Sequence, residues 1–166
     1  LRMKQTILLG IAILLMATHL RAQQMNVEAD TAARCYSEDE IIIDSPVENV
    51  FKILCDINNW PEWQSSVTMA QIYGSPEPGV EFKWEAGGLK IHSKLHTVNE
   101  YSQIGWTGRI WWIKAVHNWY LINEGNKTKV IVKESLNGLG SSFMRKSLTE
   151  GMRKNLQELK SRAEHI

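Results

Sequence analysis

Residues 41–63 read "IIIDSPVENVFKILCDINNWPEW", and the pattern changes character twice within that stretch. The β-branched run of "EIIID", Glu40 to Asp44, fits a short first strand. Ser45 then stands as a helix N-cap with Pro46 at the first helical position, where its missing N–H costs nothing. Val47, Val50, Phe51 and Leu54 follow on one helical stripe. Pro61 closes the helical region because it lacks a donor and disfavours α geometry in the residue before it. Trp60 and Trp63 flank that proline, so two of the chain's largest apolar side chains fall at a bend.

Beyond the bend the hydrophobic period drops from 3.6 to 2. "VTMAQIYG", "VEFKWEA", "LKIHSKLHTVNE", "SQIGWTGR", "IKAVHNWYLIN" and "KTKVIVKES" are six strand candidates joined by short turns, which favours an antiparallel meander. Val80, Phe82 and Trp84 alternate with charged residues, as do Leu89, Ile91, Ser93, Leu95 and Thr97 and, further on, Val130, Val132 and Glu134; these sets are assigned inward. From about Leu139 to His165 the period returns to helical, with Met144, Leu148, Met152, Leu156, Leu159 and Ala163 on one stripe. A sheet with one apolar face needs a cover, and this last helix is the candidate.

The 166 residues, 43% of them hydrophobic, suit one domain with a sizeable core. Arg2 and Lys4 precede the apolar run Ile7–Ala17, and Ala22 supplies the small residue before a cleavage point, the layout of an export signal over residues 1–22. Eleven residues rise only about 16 Å as a helix, too little to span a bilayer. Residues 23–37 lack periodicity and read as a flexible linker, so the domain is expected over 38–166. Without Arg2, Lys4 and Arg21 the 19 basic residues become 16, against 18 acidic, a balance that gives no footprint for nucleic acid. The cluster "RKSLTEGMRKNLQELKSR" is read as a solvated helix face. Cys35 and Cys55 make no disulfide framework, and Cys55 reads as a small buried residue.

The opening strand, helix and Trp-containing bend, together with "PGVEFKW", "IGWTGR", "AVHNWYLI" and "VKESLNG", resemble the START-like (SRPBCC) superfamily, in its polyketide cyclase/dehydrase and lipid-transport-like branch. The resemblance covers about Glu38 to Glu164 and is specific for fold, since none of these segments is a catalytic signature. It implies an α+β helix-grip fold, a curved antiparallel sheet wrapped around the long C-terminal helix, with an apolar cavity and no cofactor. The implied partner is a small hydrophobic molecule, lipid-like or polyketide-like, held by a carrier or sensor without catalysis. Its expected lining is Trp63, Phe82, Trp84, Ile91, Ser93, Leu95, Trp106, His117, Trp119, Leu121, Val132, Glu134, Met144, Leu148 and Met152. The alternatives are a cyclase- or dehydratase-type enzyme and an interaction or stress-related module with a filled core.

One polar pair follows from the residues alone. If "EGNK" is a tight hairpin centred on Gly125 and Asn126, His117 falls opposite Glu134, Trp119 opposite Val132 and Leu121 opposite Val130. His117 and Glu134 then form the polar exception on an apolar face: a ligand anchor, an acid/base dyad, or a buried pair that satisfies itself. His92 and His96 mimic a metal motif, but on a strand they lie about 13 Å apart, too far to share a zinc, and both are assigned to the surface. Ser93 lacks a nucleophile-elbow context, and "GSPEPG" and "GLGSS" lack phosphate-loop spacing. Trp111 and Trp112, at a strand turn, are placed to rim a ligand entrance, to touch a membrane interface, or to cover the end of the core with one ring while the other stays partly exposed.

Overall fold

Seven strands, β1 (Cys35–Ile43), β2 (Val67–Ile72), β3 (Glu81–Ala86), β4 (Leu89–Asn99), β5 (Gln103–Ile110), β6 (Ile113–Asn123) and β7 (Thr128–Asn137), make one sheet in the order β1-β7-β6-β5-β4-β3-β2. Every neighbouring pair is antiparallel. Helix α1 (Val47–Cys55) and a 3-10 segment (Ile57–Glu62) connect β1 to β2; a second 3-10 turn (Ser141–Met144) leads into α2 (Arg145–Ala163). This computed structural model describes residues 27–166, so the expected export segment and the start of the expected linker lie outside the described residues.

Several boundaries differ from the sequence reading. Pro46, with φ −57° and ψ 148°, is the residue before α1 rather than its first, and Ser45 makes no side-chain cap. Ser45 instead accepts through its carbonyl oxygen the hydroxyl of buried Thr128, at 2.7 Å, which ties α1 to β7. Helix α1 stops at Asp56, while Pro61 sits within the 3-10 segment, which a proline tolerates in so short a helix. The last helix proper is 19 residues, about 28 Å, because its expected first turn is the 3-10 segment.

Trp60 explains the bend. It is 1% exposed, its indole N–H donates to Leu54 O at 3.1 Å, and its ring centroid lies 5.2 to 5.7 Å from those of Phe82, Trp84 and Trp106. The ring is therefore a pillar of the core, locked by packing and by one buried hydrogen bond. Helix α2 packs against the same core through Met152, Leu156, Leu159 and Ala163, all buried.

The outer face of the sheet is partly covered as well. Asn118 Nδ2 donates to Val27 O at 3.0 Å, the Tyr120 hydroxyl bonds the Glu28 carboxylate, and Asp30 N–H donates to Ser135 Oγ at 3.0 Å. Residues 27–34 thus lie across β6 and β7, and β1 begins at Cys35, which corrects the reading of residues 27–37 as linker. A bulge between Leu95 and Thr97 adds a second correction. It turns Thr97 to the outer face opposite Gly105, sends Val98 inward opposite Ile104, and draws His96 down into a half-buried position, its Nδ1 2.8 Å from Thr97 Oγ1. A Cβ on Gly105 would meet Asn118 Oδ1 at 2.1 Å and His96 Cε1 at 2.6 Å, so only glycine fits there.

Two outcomes test this packing. Gly105→Ala is expected to cost at least about 1–3 kcal/mol by overpacking, read as a lowered urea midpoint. Burial, partly offset by the Glu28 charge, holds His96 below its ordinary value of 6.5. The unfolded chain then takes up the proton first, so the His96 contribution is complete above 6.5 and is lost as pH falls from there through the lower folded value. Urea midpoints taken on either side of that window should converge in His96→Gln.

Candidate functional site: a cavity under the start of the last helix

Ser93, Gly108, Ala115 and Leu136 face one another across β4, β5, β6 and β7 on the inner side of the sheet. Three of the four have side chains no larger than serine's, so the floor of the sheet is low along this row. Above it the first half of α2 presents Ser147 and Leu148, with Met144 just before, and these are only half-buried or exposed, unlike the second half of the helix. The unfilled space is a cavity of about 210 Å³, walled by Trp84, Ile91, Trp106, Ile110 and Ile113 and reached by Glu134.

The next row inward is Leu95, Trp106, His117, Glu134 and Ser37, again in direct opposition. His117 is 6% exposed and stacks on Trp106, with centroids 4.5 Å apart and planes 11° from parallel. Its Nδ1–H donates to Glu134 Oε2 at 2.7 Å, which fixes the tautomer, since a carboxylate can only accept. Among the described residues no hydrogen-bond partner reaches His117 Nε2 or Trp119 Nε1. Trp84 Nε1 donates to Ser93 Oγ at 3.0 Å, leaving the serine hydroxyl free to donate into the cavity. The site is an apolar box with a carboxylate at one wall and a hydroxyl on its floor.

Of the residues expected to line a cavity, Trp84, Ile91, Ser93, Trp106, Glu134, Met144 and Leu148 do. Phe82, Leu95, His117, Trp119, Leu121, Val132 and Met152 do not; all are buried in packed structure, and His117 stands behind Trp106 and Glu134. Trp63 is half-buried and borders a shallow surface cleft with Glu62, Glu158 and Arg162, away from the cavity, so neither tryptophan of the bend gates it. Gly108, Ile110, Ile113, Ala115, Leu136 and Ser147 were not foreseen. The register of β5 on β6 would have found Gly108 and Ala115, but the intervening turn, Trp111–Trp112, carries no Gly or Asn to announce it.

His92 is exposed, whereas His96 is drawn under by the bulge, which corrects its surface assignment. Among the described residues no group of three or more His, Cys, Asp or Glu side chains could hold a metal ion, and no helix is long and apolar enough to cross a membrane. Both cysteines are free thiols, and burial pushes Cys55 up to about 12.

A seven-stranded antiparallel sheet closed on a C-terminal helix, with a void between them, defines a helix-grip protein of the START-like class. Residues 34–164 match the family described as polyketide cyclase/dehydrase and lipid transport, and the chain belongs to that family. Among solved structures it is similar to a hypothetical protein from Helicobacter pylori, at 14% identity and a TM-score of 0.71, covering 85% of this chain and 92% of that one. It is also similar to a START superfamily protein from Mycobacterium smegmatis (14% identity, TM-score 0.67, 78% and 97% covered). A third likeness is to the Zhui aromatase/cyclase from a Streptomyces species (10% identity, TM-score 0.68, 78% and 93% covered). No curated protein sequence matches significantly.

The His117–Glu134 bond has a measurable worth. Glu134→Ala strips a buried imidazole of its acceptor and should cost about 1–3 kcal/mol, whereas Glu134→Gln, whose amide oxygen still accepts from Nδ1–H, should cost clearly less. Equal losses in urea denaturation would remove the hydrogen bond as the reason for the pairing.

Proposed function

We propose that this protein binds a small apolar molecule in the cavity beneath the start of α2, as a carrier or sensor without covalent chemistry. The observation that carries the reading is the row Ser93, Gly108 and Ala115, which leaves an apolar void inside an otherwise tightly packed core. A filled-core interaction module has no use for such a void. At about 210 Å³ the space lies below the roughly 300–1,000 Å³ of ordinary ligand pockets, which favours a compact ligand or one end of a longer chain. Binding would be driven by removal of apolar area from water, with Glu134 and the Ser93 hydroxyl orienting a polar group on the ligand. The charged and apolar pattern of residues 1–22 supports export as the setting of this activity.

The family's cyclase and dehydrase members supply a second reading, general acid–base chemistry by Glu134, with His117 as its positioning residue. Glu134 faces the cavity and is held from behind by the imidazole, which is the arrangement such chemistry would use.

Native mass spectrometry of the protein purified without denaturant should show a bound mass that disappears on unfolding. Fluorescence of N-phenyl-1-naphthylamine should rise on mixing with the emptied protein, and Ala115→Phe, which fills the void from the sheet side, should weaken that binding at least about tenfold while the thermal midpoint stays near that of the parent. Full probe affinity in Ala115→Phe would place the ligand elsewhere.

A further inference from the structure

Four of the six most exposed large apolar side chains among the described residues occur on two loops: Trp111 (71%) and Trp112 (63%) between β5 and β6, and Leu139 (85%) and Phe143 (90%) after β7. The loops are joined, since Trp112 Nε1–H donates to Leu139 O at 2.9 Å. The two indoles lie 5.7 Å apart. Trp111 holds φ at +51°, a costly conformation for a bulky residue, and no burial of its ring compensates for it. Ile110, Ile113 and Met144, the chain neighbours of these side chains, line the cavity. The exposed apolar cluster is therefore the rim of the binding site.

The surrounding charge has one sign. Residues 109–114 and 138–147 contain Arg109, Lys114, Arg145 and Lys146 and no acidic residue. On the outer face beside the hairpin, a depression of about 410 Å³ is bordered by His92, Lys94, Arg109 and Lys114 against Glu81 alone. Arg145 donates only to a backbone carbonyl, that of Arg34, so its charge is not neutralised there. Lys146 reaches Glu150 only at 3.9 Å. A second copy docked on this face through a twofold axis would set like charges against each other.

We infer that this rim docks on the surface of a lipid leaflet rich in anionic headgroups, with Trp111, Trp112, Leu139 and Phe143 inserted at the interface and the basic side chains on the headgroups. Indoles favour the membrane boundary, and Lys and Arg close to it are drawn to anionic lipid. The inference rests on the proposed binding role only for its purpose: an apolar ligand would pass between leaflet and cavity without crossing water.

The test uses the full chain in flotation with phosphatidylcholine vesicles with and without phosphatidylglycerol, at low and high salt. The parent should bind the anionic vesicles and release them as salt rises. Trp111→Gly combined with Phe143→Ser should weaken binding at least about tenfold, as should Arg109→Glu combined with Lys114→Glu, and neither pair should lower the urea midpoint below the parent's, glycine at 111 relieving the strained φ. Absence of vesicle binding by the parent overturns the inference. Equal binding by parent and variants also overturns it, assigning attachment to residues 1–26. Concentration-dependent self-association lost in the same variants overturns it in favour of a second copy. The vesicle assay needs no cavity ligand and the naphthylamine assay needs no membrane, so failure of either leaves the other standing.

Discussion

A single helix about 10–12 Å across cannot cover a flat sheet of seven strands, whose width is about 29 Å at the usual strand spacing. Everything else in the structure answers that mismatch. The sheet must curl around α2, and the part of its apolar face that the helix does not reach must be filled by something else. Helix α1 and the 3-10 segment supply that filling with Val50, Leu54, Ile57 and Trp60, all essentially inaccessible to solvent. Trp60 reaches furthest, meeting Phe82 and Trp84 on β3 and Trp106 on the central strand β5. Tryptophan suits this place because one ring spans the gap and its N–H still finds a carbonyl.

The filling is uneven along α2, and that unevenness makes the site. From Met152 to Ala163 the helix is seated in the core, and Lys160 and Glu164 bind β1 and the start of the β1–α1 connection through Ile42 O and Asp44 N–H. Before Met152 the main ties are polar, from Thr149 to Ser37 and from Arg145 to Arg34 O, and no large side chain rises from Ser93, Gly108 or Ala115 to meet the helix. The row Trp106, His117, Glu134 marks the boundary between packed core and void. Imidazole serves there because it stacks on the indole with its face and donates from its edge, turning Glu134 into a fixed wall of the cavity.

Legibility in the sequence followed how local the determining physics was. The stretch 41–63 announces a strand, a helix and an aromatic corner through β-branched residues, a helical stripe and a proline, and all three are present. Gly125 and Asn126 announce the β6–β7 turn, and the register deduced from it places His117 opposite Glu134 as observed. Three features depend on contacts that no local pattern carries. The bulge at His96 flips Thr97 outward, and the ring of His96 occupies the space that Gly105 leaves open. Residues 27–34 look like linker because they are polar and aperiodic, yet their hydrogen bonds go to Asn118, Tyr120 and Ser135, which are distant in sequence. The cavity lining owes as much to small side chains as to large ones. Alternation identifies what faces inward, but a void forms where inward residues are small, and that requires the cross-strand alignment of Ser93, Gly108 and Ala115.

The same alignment separates the roles of the aromatic residues. Trp60, Phe82 and Trp119 are enclosed on all sides and set the stability of the closed half of the molecule. Trp84 and Trp106 belong to both halves, each packing against Trp60 while also lining the void, so the cavity wall and the core pillar are in direct contact. Trp111 and Trp112 belong to neither, being held out in solvent by a turn whose backbone disfavours Trp111. Backbone strain is thus spent at the rim of the apolar cavity on an indole that stays in solvent, whereas the indoles of the core are enclosed in relaxed backbone.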